Sequence, residues 1–153
     1  MPIEIKLAYD DMDQIRLLFQ EYTNMLGIDL GFQNYDAEFS SLPGDYALPD
    51  GRLYLAVCDG QPAGCIALHP FDRERCEMKR LFVRPEFRGE RVGRALAERA
   101  IADAKEMRYQ AIVLDTMAFL TNSVALYRKL GFQETLPYRY NPLPDALFLR
   151  LDL

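Results

Sequence analysis

Glu77-Met-Lys-Arg-Leu-Phe-Val-Arg-Pro-Glu-Phe-Arg-Gly-Glu-Arg-Val-Gly-Arg-Ala-Leu96 is the stretch on which the fold turns. A strand from Cys76 to Val83 stops at Arg84-Pro85, because proline removes an amide donor and restricts the residue before it. Beyond the glycines, Val92, Leu96, Ala100 and Met107 recur at helical spacing and predict a long helix ending near Arg108. A strand that turns through glycine into a helix start gathers unpaired backbone N–H groups and the positive end of the helix dipole at one spot. Such a spot suits a pyrophosphate. Gly89 and Gly93 let the backbone approach a ligand, and Arg88, Arg91 and Arg94 add positive charge. No Gly-Lys-Ser/Thr follows, and no Gly-x-Gly-x-x-Gly follows the first strand, which argues against nucleoside triphosphates and NAD. Taken alone, the turn supports either anion binding or a plain helix start with solvated arginines.

On either side of this stretch the elements are plainer: Ile3, Ile5 and Leu7 alternate with Glu4 and Lys6, predicting a strand from Ile3 to Ala8. Asp10 offers a helix cap, and Ile15, Leu18, Phe19, Tyr22 and Leu26 form one apolar face over a helix from Asp11 to Met25. Gly27 to Gly51 is irregular, with one short helix around Asp36 to Ser41. Arg52–Cys58 and Gln61–His69 flank Asp59-Gly60, a hairpin signal, with Pro62 limiting the second strand at its start. Ala111–Thr116 reads as a buried strand, Leu120–Leu130 as a helix stopped by Gly131, and Phe132 onward and Leu147–Leu153 as closing strands. Between these, the three prolines of Pro137–Pro144 force an extended loop. The order describes one mixed α/β domain over residues 1–153.

Composition narrows the partners. Half of the 153 residues are hydrophobic and 27% charged, as in ordinary globular chains. A net charge of -5 repels phosphate backbones and anionic headgroups, so neither nucleic acid nor a membrane surface is expected. Cys58, Cys65 and Cys76 fit neither a disulfide framework nor a zinc set and read as reduced, packed thiols. No metal site is expected. The N-terminus shows no secretory pattern, and no apolar run approaches the roughly 20 residues of a membrane span, which places the protein in the cytoplasm.

The segment Arg88-Gly-Glu-Arg-Val-Gly93 resembles the Arg/Gln-x-x-Gly-x-Gly/Ala signature of the GNAT superfamily of N-acetyltransferases, with Arg91 where the first signature glycine is usual. Asn122-Ser-Val-Ala-Leu-Tyr-Arg-Lys-Leu-Gly-Phe132 resembles the superfamily's Leu-Tyr-x-Lys-x-Gly-Phe segment. The resemblance implies a central, mostly antiparallel mixed sheet of six or seven strands with helices on both faces. It also implies acetyl-CoA as acyl donor, held by Leu81, Phe82, Val83, Arg88, Gly89, Glu90, Arg91, Val92, Gly93, Arg94 and Asn122. Arg91 is tolerable there if its φ is negative and its side chain meets solvent.

Transfer to an amine needs a neutral nucleophile, a stabilised carbonyl oxygen and a proton for the leaving thiolate. An amine with a pKa near lysine's, about 10.4, is mostly protonated at neutral pH, so a carboxylate acting directly or through water helps. Glu77 stands at the superfamily's base position, and its bland reading is a strand residue paired with Lys79 on the same face. Tyr127 matches the superfamily's acid, or else packs with Val124 and Leu130. An amide near Phe82 or Val83 would meet the oxyanion. His69 reads as a solvated strand end outside the catalytic set. Tyr138, Arg139 and Tyr140, with Asp29 to Tyr35, border the acceptor site. The acceptor is an amine on a small molecule or peptide, and a homodimer is left open. A non-catalytic acyl-CoA-binding module is the alternative, against which Glu77 and Tyr127 weigh.

Overall fold

The computed structural model describes residues 2–153. Seven strands form one sheet in the order β1-β2-β3-β4-β5-β7-β6: β1 (Ile3–Leu7), β2 (Arg52–Cys58), β3 (Gln61–Pro70), β4 (Arg75–Val83), β5 (Ala111–Met117), β6 (Gln133–Glu134) and β7 (Ala146–Asp152). Four helices cover it: α1 (Met12–Leu26), α2 (Tyr35–Ser41), α3 (Val92–Glu106) and α4 (Thr121–Lys129). Every strand pairing is antiparallel except β4 with β5.

Alternation along the strands builds two cores. Tyr54, Ile66, Leu68, Met78, Ile112 and Leu114 face α3 and α4, whereas Leu53, Leu55, Cys65, Ala67 and Phe82 face α1. Helix α1 uses the predicted face, burying Ile15, Leu18, Phe19 and Leu26. Its cap is Asp11 rather than Asp10, and no side-chain hydrogen bond closes it. The Asp59-Gly60 hairpin forms with φ of 50° and 77° at its two central residues, the positive pair a tight twisted turn requires. Pro62 is the second residue of β3, inside the strand. The three cysteines are buried and unpaired, as packing residues.

Two irregularities shape the middle of the sheet. Strands β4 and β5 pair only over Arg75–Glu77 and Ala111–Val113, so past Glu77 the β5-facing backbone groups of β4 have no ladder partner. In addition, the β3–β4 register slips between Cys65 and Ala67, and Arg80 takes φ 63° in mid-strand: a bulge. Gly64, paired with Val83 beyond the bulge, leaves no room for a side chain, since an added Cβ would lie 2.4 Å from the Phe82 carbonyl oxygen. The wedge between the parting strands is the place the fold leaves open.

Candidate active site

One mouth of the wedge is a cleft of about 650 Å³ between the end of β4, the turn before α3, and the start of α4. Leu81, Phe82, Val83, Arg88, Gly89, Arg91, Val92, Gly93, Arg94 and Asn122 all line it. Glu90 does not; its side chain points away to solvent, as the outer residue of the turn. None of the backbone amides from Gly89 to Arg94 donates to an acceptor among the described residues. Gly89 holds φ 85°, and Arg91, the N-cap of α3, holds φ 64° and ψ 21°. The negative φ set as the condition for tolerating Arg91 is not met: the turn takes the left-handed conformation here with arginine in place. The side chain is exposed, as expected. Arg88 folds back, donating from Nε to the Val83 carbonyl at 3.0 Å, and Arg94 pairs with Glu98 at 3.5 Å.

A narrow throat follows, lined by Tyr22, Lys79, Arg80, Asp115 and Leu120 among others, and it shares Leu120 with the cleft. It shares Gln33 and Lys79 with a third space of about 350 Å³, lined by Glu38, Tyr46, His69 and Arg139. Cleft, throat and pocket thus follow one another past the bulge of β4.

Glu77 is fully buried and lines neither throat nor pocket; it sits behind His69 and Arg139, which line the pocket. Its carboxylate accepts from His69 Nε2 at 2.8 Å, Tyr138 Oη at 2.5 Å and Arg139 at 2.6 Å. Burial pushes its pKa up, but the His69 hydrogen bond, the Lys79 charge and the Tyr138 and Arg139 contacts outweigh that and hold it below the ordinary carboxylate range. Lys79 makes no ion pair with it, so the same-face pairing expected from the sequence is absent. His69 is not a solvated strand end: it stacks edge-on to Tyr46 at 5.8 Å, and both ring nitrogens face acceptors, Glu77 and the Pro70 carbonyl. The signal lay in the register, since β3 and β4 pair His69 directly with Glu77 across a short connection.

Tyr138 and Arg139 ride on the proline loop, which is pinned by Tyr138 against Phe71 and Phe148 at 5.0 and 5.6 Å and by Asn141 donating to Asp115 at 3.0 Å. Tyr140 is exposed and lines none of these three spaces. Arg80 grips Glu38 of α2 with two hydrogen bonds of 2.9 Å, which fixes the pocket wall. Tyr127 lies on α4 behind the cleft, buried, its ring edge-on to Phe132 at 5.6 Å. Burial, then the neighbouring Tyr22 phenol, raises its pKa, so it keeps its proton. No cluster of metal-ligating side chains occurs among the described residues.

The sequence matches the acetyltransferase (GNAT) family over residues 13–132. It is 41% identical to an uncharacterized N-acetyltransferase of Schizosaccharomyces pombe over 145 residues, 94% of this chain and 89% of that one. The fold superposes on a GNAT-family acetyltransferase of Staphylococcus aureus Mu50 with TM-score 0.81 and 21% identity, covering 99% of each chain. It also superposes on a GNAT family acetyltransferase of Elizabethkingia anophelis with acetyl-CoA bound, TM-score 0.60 and 29% identity, over 73% of this chain and 82% of that one.

Proposed function

The chain belongs to the acetyltransferase (GNAT) family and is an acyltransferase enzyme, and on that premise we propose that it moves the acetyl group of acetyl-CoA directly to a primary amine. The observation that carries this reading is the run of unpaired amides from Gly89 to Arg94, opening on a wedge that leads through one throat to a polar pocket. Amides without acceptors at the positive end of α3 fit a pyrophosphate, and the solved relative with acetyl-CoA bound supports that donor.

Bound there, acetyl-CoA supplies a thioester acyl group: a C–N bond to the amine forms, the C–S bond breaks, and a thiolate leaves. The β5-facing amides beyond Glu77, released from the sheet, are free to meet the negative charge that develops on the carbonyl oxygen. Tyr127, kept protonated by burial, gives its phenolic proton to the departing sulfur. Glu77 uses three of its roughly four acceptor sites on His69, Tyr138 and Arg139. The amine proton passes to the remaining site through a water, because the carboxylate is buried too deeply for the amine to touch it. A carboxylate held below its ordinary range is a modest base, so activity should climb with pH as the amine itself loses its proton. The acceptor is an amine of a small molecule or peptide in the pocket beside His69. The buried free thiols suit the cytoplasm, and no helix is long and apolar enough to cross a membrane among the described residues.

An amine panel incubated with acetyl-CoA, read by free thiol and by product mass, tests the proposal. The expected result is an N-acetylated product matched one to one by free thiol. Thiol release without any acetylated amine, or binding of acetyl-CoA with neither, would contradict it.

A further inference from the structure

Charged side chains buried from solvent are three among the described residues: Glu77, Lys79 and Arg80. Two are answered within the fold, Glu77 by three donors and Arg80 by both oxygens of Glu38. Lys79 is not. With only 9% of its surface exposed, it has no hydrogen bond and no ion pair. Its side chain is buried, but its ammonium is not among the enclosed polar atoms without a partner, so the charged end meets the throat and pocket, where an acceptor on a guest can complete it. Lys79 lines both the throat and the pocket, on the same strand face as Glu77 two residues away, about 7 Å along the strand.

A second donor points into the same space. Arg139 gives one nitrogen to Glu77, but its Nε is buried with no acceptor, and Arg139 lines the pocket. The other charges nearby do not fill the need. Glu38 and Glu77 are already bonded to Arg80 and to His69 and Arg139, Asp45 sits exposed on the rim, and Asp115 accepts from Asn141. Two cationic donors without acceptors, in a pocket whose carboxylates are engaged, call for an anionic, acceptor-rich group on the guest. Gln33, whose carbonyl oxygen is buried without a donor at the same junction, offers an acceptor for an N–H of that guest.

We propose that the acceptor carries a carboxylate beside its amine, as amino acids do, and that Lys79 is the counter-ion that selects it, with Arg139 Nε as the second donor. The inference rests on reading this pocket as the acceptor site and adds the substrate class. Lys79 retains most of its charge at neutral pH, since burial lowers its pKa only to about 8.

The test compares amino acids with their amides, both as acceptors and as ligands of the acetyl-CoA-saturated enzyme measured by calorimetry. For the natural chain the expected preference for the acid in kcat/KM is about tenfold or more, the range of a charge-assisted hydrogen bond. Lys79→Met should raise KM for the acids about tenfold and narrow the acid-over-amide preference by a similar factor, while Lys79→Arg restores part of the preference. Equal binding of acids and amides overturns the inference. So does an equal loss of kcat on every amine in Lys79→Met, because that would place Lys79 in the chemistry instead. If no amine is acetylated yet acids still bind better than amides in a Lys79-dependent way, the transfer reading fails and carboxylate recognition stands.

Discussion

Glu77 concentrates what single residues contribute. It is a buried anion held by donors from β3 and from the proline loop, and its negative charge is what keeps His69 and Arg139 in place. Glu77→Gln keeps the shape but loses the charge, and we expect kcat to fall about 100-fold or more, within the range of general base catalysis. Tyr127→Phe removes only a hydroxyl that bonds to no residue in the fold, so kcat should drop by a similar factor with Tm unchanged; a silent Tyr127→Phe would leave thiolate protonation to another group. Lys79 makes a different prediction, about stability. Its proton is held with a pKa of about 8 in the fold against an ordinary 10.5, so between these values the unfolded chain binds more protons and the natural chain gains stability as pH rises. Below about pH 8 the full burden of the buried charge is present. Lys79→Met should therefore be more stable at pH 7, by on the order of 1–3 kcal/mol, with the advantage shrinking towards pH 10 in denaturant melts. An advantage that grows with pH would contradict the unpaired charge. Of these residues Glu77 and Tyr127 stand out in the sequence as candidates from motif position. His69 was not, because a lone histidine before proline looks solvated until the β3–β4 register is known.

Among the elements, periodicity located α1, α3 and the alternating strand β1, since burial of an apolar face is what makes each of them form. Two features escaped it. The bulge at Arg80 leaves no mark in hydrophobic alternation, because it is a slip of register between β3 and β4 that neither strand's own sequence carries. Gly64→Ala, with a Cβ 2.4 Å from the Phe82 carbonyl oxygen, should cost about 1–3 kcal/mol and weaken acetyl-CoA binding by shifting the cleft floor; an unchanged Tm and unchanged affinity would show the bulge to be indifferent to it. The other is the left-handed Arg91, where a local resemblance with an arginine in place of glycine suggested an ordinary conformation. Arg91→Gly trades relief of about 1 kcal/mol of backbone strain against about 0.4–1 kcal/mol of added freedom in the unfolded chain. Chemical denaturation should thus find it within about 1 kcal/mol of the natural chain, and Arg91→Val clearly below both. A loss of several kcal/mol in Arg91→Gly would mean that the side chain, not the backbone, holds the turn.

At the scale of the molecule, the mixed sheet with helices on both faces was readable because the strand order and the two motifs agree. What the sequence left dark was the chain of spaces from cleft to throat to pocket. That path depends on where β4 and β5 part, and parallel pairing over three residues has no signature in either strand. The parted strands tie donor and acceptor into one line, so filling the cleft should stabilise the whole fold. Acetyl-CoA at about 100 times its Kd should add about 2.7 kcal/mol, which for a chain of this size is a rise in Tm of roughly 5–10 °C. The central claim is that the free amides between Gly89 and Arg94 are the cradle of the donor. Amide chemical shifts of the labelled protein, followed while CoA is titrated in, test it most directly: the amides of Gly89 to Arg94 should move together and saturate at one equivalent, with Gln133 and Glu134 of β6 unmoved. If CoA binds while those six amides stay where they are, the cradle is elsewhere and the account is wrong.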